Sequence, residues 1–107
     1  MILINGQQNE RISVQDRGLQ YGDGLFETIA IRDGKLNLWQ RHMQRLIKGC
    51  QQLGFPQPDV DQLLEEALII SAEQQCCVLK IIITRGDSGR GYRAPDLEKP
   101  DKLTRIL

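Results

Sequence analysis

DRGLQYGDGLFETIAI, residues Asp16 to Ile31, is a turn-rich run that passes directly into an alternating strand. Gly18, Gly22 and Gly24 relax the restrictions that a Cβ imposes, so the segment can bend sharply or let a ligand lie close against the main chain. By itself a Gly-Asp-Gly tripeptide is the chemistry of a turn joining two strands. From Leu25 the pattern alternates, with Phe26, Thr28 and Ala30 on one face and Leu25, Glu27, Ile29 and Ile31 on the other, which predicts a strand.

Working outward, Asn5-Gly6 follows the apolar opening MILI, and Asp33-Gly34 follows the alternating strand. Both dipeptides favour the tight hairpin turn in which the two central residues take positive φ. One hairpin is therefore expected between the opening and Gln7 to Val14, and a second between Leu25 to Ile31 and Lys35 to Leu38. Trp39, Met43, Leu46, Cys50 and Leu53 recur at helical spacing, an apolar stripe about four turns long. Gly54 and Pro56 end it. Asp59 is placed to cap a second helix whose stripe runs through Val60, Leu63, Leu64, Ala67, Leu68 and Ser71.

CVLKIIIT, residues Cys77 to Thr84, is β-branched and nearly continuous in apolar character, which predicts a strand covered on both faces. RGDSGRGYR, Arg85 to Arg93, is a glycine-rich loop, and Ala94 to Lys102 reads as a surface loop with two prolines. Leu103 to Leu107 look like a further strand. Two hairpins, two helices and a buried strand, without regular βαβ alternation, predict an α+β domain with helices on an antiparallel sheet. A chain ending on LTRIL, without a polar tail, reads like one domain cut from something longer.

At 107 residues the chain has the length of one domain, able to bury roughly two-thirds of the surface its unfolded form exposes. Its 40% apolar and 26% charged residues are those of an ordinary globular domain. Lys plus Arg equals Asp plus Glu at 14 each, so net charge supplies no drive towards nucleic acid or an anionic membrane. The opening turns polar too soon for a secretory signal, and no apolar run approaches membrane-spanning length. Three cysteines, Cys50, Cys76 and Cys77, form no CxxC and accompany no paired histidines. The expectation is a reduced, cytoplasmic protein without a structural metal, its adjacent Cys76 and Cys77 engaged in packing.

His42 and Arg45 lie three apart on the first helix and so sit side by side. An arginine there suits a forked contact to a phosphate, and equally a surface ion pair beside a half-buried histidine. Arg85, Arg90 and Arg93 set positive charge among glycines, suited to a carboxylate-bearing substrate or to a solvated basic turn. Asp16 and Asp23 are expected to shape turns through local backbone hydrogen bonds. Nothing in the sequence pairs them or Glu27.

DRGLQYGDGLFETI, then RHMQRL, then LKIIITRGDSGRGY, in this order and spacing, resemble the N-terminal domain of the fold-type IV pyridoxal-phosphate enzymes. Within that superfamily they are most similar to the 4-amino-4-deoxychorismate lyases of folate biosynthesis, with Thr28 and the GRGY ending on the lyase side. The resemblance covers essentially all of residues 1–107 and implies a homodimer using pyridoxal 5'-phosphate. It assigns Arg45 to the cofactor phosphate, and Tyr21, Phe26 and Thr28 to the substrate side of the pocket. Arg85 and Arg90 would meet substrate carboxylates. The Schiff-base lysine of the family matches none of Lys35, Lys48, Lys80, Lys99 and Lys102, and is expected in a second domain that this chain does not contain. The chain alone is then half of an active site and inactive. Branched-chain and D-amino-acid aminotransferases share the first two motifs in altered form, so an aminotransferase is the alternative. An autonomous, non-catalytic binding module is the alternative of another class.

Overall fold

A computed structural model describes residues 1–87 and 103–107. Its elements are β1 (Leu3–Ile4), β2 (Gln7–Gln8), α1 (Arg17–Tyr21), β3 (Gly24–Arg32), β4 (Lys35–Leu36), α2 (Trp39–Gln52), α3 (Val60–Ser71), β5 (Cys76–Thr84) and β6 (Thr104–Ile106). The strands form one sheet in the order β2-β1-β6-β5-β3-β4, and every neighbouring pair is antiparallel. This is the α+β arrangement that the hairpin and helix signals predict.

The centre of the sheet is the ladder between β3 and β5, in register from Gly24 opposite Thr84 to Arg32 opposite Cys76. Alternation along β3 is as expected: Glu27, Ile29 and Ile31 are buried, while Phe26 and Thr28 are exposed. Leu79, Ile81 and Ile83 of β5 turn to the same side as Ile29 and Ile31. There they join Met43, Leu46 and Cys50 of α2 and Leu63 and Ala67 of α3 in a single core. Full burial of side chains such as Leu46 and Ile81 contributes roughly 1.5–3 kcal/mol each. Both predicted hairpin turns form, with φ of 51° and 81° at Asn5 and Gly6 and of 53° and 72° at Asp33 and Gly34. Asp59 caps α3 by accepting from the Gln62 amide at 3.1 Å.

The structure corrects the sequence reading at five places. The arm expected over Gln7 to Val14 keeps strand register only through Gln8, with a last bond from the Asn9 amide to the Ile2 carbonyl at 3.2 Å, and Ile12 and Val14 are exposed. Asn9 accepts from the amides of Glu10 and Arg11, and this local bonding draws the chain out of the ladder. Arg17–Tyr21 is a short helix where a plain turn was expected. Asp16 caps it through the Gly18 amide, and Gly22 ends it at φ 67°, but five residues are too few to display an apolar stripe.

Among the described residues β5 is covered on one face only, since Val78 and Lys80 are exposed. Its β-branched run reports a preference for extended backbone, which holds whether or not both faces are packed. In α3, Leu68 is exposed while Glu66 is buried. The helix turns Glu66 inward because Arg105 of β6 meets its carboxylate, with Nη2 to Oε1 at 2.7 Å. Finally, Cys76 is exposed, so of the adjacent pair only the half-buried Cys77 packs against the core, beside the fully buried Cys50, whose thiol burial pushes up to about 11.

Candidate active site

The segment that opens the sequence reading is fastened to the end of β5. Asp16 accepts from the Gly18 amide at 2.8 Å and from the Thr84 hydroxyl at 3.0 Å, and the Arg17 amide donates to the Gly86 carbonyl at 2.9 Å. Asp23 departs from the local role expected of it: its Oδ2 accepts from Arg17 Nε at 3.1 Å and from Arg85 Nε at 2.7 Å. Arg85 also donates to the Leu53 carbonyl at 2.7 Å, just beyond α2, and its guanidinium stacks over Phe55. The first and third motifs of the sequence are thus brought together, and the end of α2 is tied to both.

Glu27 is the acid that sequence reading left unpaired, and the structure gives it two partners. Its Oε1 accepts from Arg45 Nε at 2.8 Å, and its Oε2 from Arg45 Nη2 at 2.6 Å. The same Oε2 lies 2.7 Å from His42 Nδ1. An ionised carboxylate only accepts, so Nδ1 carries the proton and donates. The bonds from Arg45 hold the Glu27 carboxyl below its ordinary range, against the opposing effect of burial and with help from His42. A detectable signal did exist. Glu27 falls on the apolar face of an alternating strand, and a buried carboxylate there needs a counter-charge of the kind that His42 and Arg45 offer.

Arg45 keeps a 72% exposed side chain although Glu27 is only 3% exposed. With Leu38, Arg41 and His42 it lines a shallow cavity of about 230 Å³. Two guanidinium groups, those of Arg41 and Arg45, beside an open space form a donor set suited to a phosphate. The residues present therefore fit the phosphate of the cofactor that the resemblance implies.

The substrate-side candidates stand apart from this cavity. Phe26 and Thr28 project from the open face of the sheet, opposite Glu27. Lys80, paired in register with Thr28, places its ammonium 4.5 Å from the Phe26 ring centroid. Phe26 also lines an apolar cavity of about 370 Å³ with Leu19, Gly24 and Ile82. Tyr21, at the end of α1, lies under the Arg17 guanidinium, 4.4 Å from centroid to Cζ. Arg85 is turned to Asp23 and Leu53 as described, and Arg90 lies outside the described residues. Among those residues no three His, Cys, Asp or Glu side chains gather as metal ligands, and no helix is long and apolar enough to cross a membrane.

Residues 24–105 match the class IV amino-transferase family. The aminodeoxychorismate lyase of Vibrio harveyi is 36% identical over 94% of this chain and 37% of its own length. The D-alanine aminotransferase of Bacillus licheniformis is 31% identical over 86% of the chain and 35% of its length. The crystal structure of 4-amino-4-deoxychorismate lyase from Pseudomonas aeruginosa superposes with a TM-score of 0.85 and 42% identity, covering 99% of this chain and 38% of that one. The chain thus spans just over a third of the length of these relatives. It belongs to the class IV aminotransferase family of pyridoxal-phosphate-dependent enzymes.

Proposed function

We propose that this chain is the N-terminal portion of a lyase that converts 4-amino-4-deoxychorismate to 4-aminobenzoate and pyruvate. The observation that carries the reading is the 42% identity to a lyase of that name across 99% of the chain, above the 31% shared with a D-alanine aminotransferase. The remaining portion, which would hold the Schiff-base lysine, and a homodimeric cytoplasmic protein belong to the same proposal.

When bound, pyridoxal 5'-phosphate supplies an electron sink for the carbon next to the substrate nitrogen. This chain's share is to bind and orient. Arg45, steadied by Glu27, would hold the phosphate together with Arg41, while His42 braces the same Glu27 carboxylate. Tyr21, Phe26 and Thr28 form the substrate side, where the Phe26 ring excludes water and the Thr28 hydroxyl offers a hydrogen bond. Arg85 braces the end of β5 through Asp23, and Arg90 is the candidate for a substrate carboxylate.

The test supplies 4-amino-4-deoxychorismate to the protein extended to the length of its relatives. Pyruvate and 4-aminobenzoate should appear in equal amounts without consumption of a keto acid. The second reading, an aminotransferase acting on D- or branched-chain amino acids, is favoured by the D-alanine aminotransferase match. Efficient amino-group transfer to a keto acid, with the aminochorismate left intact, would establish it in place of the lyase.

A further inference from the structure

We propose that Glu27 is a positioning residue for the Arg45 anion site, setting the guanidinium for a phosphate that Glu27 itself never touches. The inference rests on the assignment of Arg45 to the cofactor phosphate.

Glu27 is held where it can act as a fixed post. It lies within the β3–β5 ladder, opposite Ile81, and is 3% exposed. Both of its oxygens are engaged, Oε1 by Arg45 Nε and Oε2 by Arg45 Nη2 and His42 Nδ1, so the carboxylate has no freedom to swing. Arg45 is the opposite case, a long and largely exposed side chain that would otherwise sample many rotamers and lose that freedom on binding. The fork from Glu27 grips the Nε–Nη2 edge and leaves Nη1 without a partner among the described residues. His42 is fixed to the same carboxylate, so the Arg45 and His42 side chains, both of which line the cavity, hold a constant relation to each other.

Glu27 also carries a negative charge, and this makes the proposal decidable by sign. If its charge were the dominant effect on an incoming phosphate, removing it would tighten binding. If positioning dominates, removing it loosens binding. The Nη2 contact at 2.6 Å and the complete engagement of both oxygens argue for positioning, since a charge already shared with Arg45 repels a third group only weakly.

The experiment measures affinity for pyridoxal 5'-phosphate and for pyridoxal, which lacks the phosphate, by absorbance titration. It uses the protein extended to its relatives' length, as wild type, Glu27→Gln, Arg45→Ala and the double variant. Glu27→Gln should weaken the phosphorylated form about tenfold, the size that loss of an outer partner has at metal sites. Pyridoxal affinity should not change, and Glu27→Gln should add nothing in the Arg45→Ala background. Tighter or unchanged binding by Glu27→Gln, with Arg45→Ala still weakened, overturns the role of Glu27 and leaves the Arg45 assignment standing. Equal losses for both ligands also overturn it, reducing Glu27 to a structural part. An Arg45→Ala variant of unchanged affinity overturns both. Should Glu27→Gln not fold, Glu27→Asp, which keeps the charge but retracts it by one methylene, is judged by the same criteria.

Discussion

At the residue scale the informative group is Glu27, whose burial and pairing make two predictions. Replacing Arg45 with Ala in the protein of full relative length should lower affinity for pyridoxal 5'-phosphate about ten- to a hundredfold, as loss of a charge-assisted contact does. Cofactor titration measures it. The second concerns pH. A glutamate in the unfolded chain titrates near its ordinary 4.5, and Arg45 holds the folded one lower. The fold therefore binds the ionised form preferentially. Its stabilisation is complete above that ordinary value, shrinks as pH falls towards the lowered folded value, and is absent beneath it. Thermal melts of wild type and Glu27→Gln should differ most near neutrality and converge in acid. A gap independent of pH would show that the carboxylate's charge contributes nothing.

At the scale of elements, the close approach of β3 to β5 at Gly24 is a point of tight tolerance. A Cβ there would lie 2.6 Å from the Ile83 carbonyl oxygen and 3.2 Å from the Thr84 Cα, and backbone atoms of a central ladder cannot step aside cheaply. Gly24→Ala should therefore destabilise the domain by about 1–3 kcal/mol, the usual cost of overpacking, as read by urea denaturation. The seat of α2 on the sheet is tested by Leu46→Ala. Leu46 is fully buried, and the cavity left should cost about 2–5 kcal/mol. A midpoint within experimental scatter of wild type would show that α2 contributes little to the core.

At the scale of the whole molecule, the sheet is packed on one side, while Phe26, Val78 and Lys80 stand exposed on the other among the described residues. Apolar surface of this kind marks interaction sites. Under the proposed function it would meet the remaining portion of the enzyme or a second subunit, so the isolated chain should self-associate. Strictly monomeric sedimentation at high concentration would count against this. The same chain, incubated with cofactor, reduced with borohydride and digested, should show no single stoichiometrically labelled lysine among its five.

Much of the fold was legible in the sequence because its signals are local. Period-two alternation placed β3 and its two faces, Asn5-Gly6 and Asp33-Gly34 set the hairpin turns, and the stripe from Trp39 to Leu53 with Gly54 beyond it set α2. Motif order carried the family. What the sequence left open depends on contacts between segments far apart in the chain. Asp23 joins Arg17 to Arg85, which lies 62 residues beyond Asp23, Arg105 turns Glu66 inward across 39, and the exposure of one face of β5 follows from what packs nearby. Propensity and periodicity describe a segment against its own neighbours, so they locate a charged side chain without naming its partner. Glu27 shows the division plainly: alternation put it on the buried face, and only tertiary packing, by bringing α2 against β3, supplied the arginine and histidine that make a buried carboxylate tolerable there.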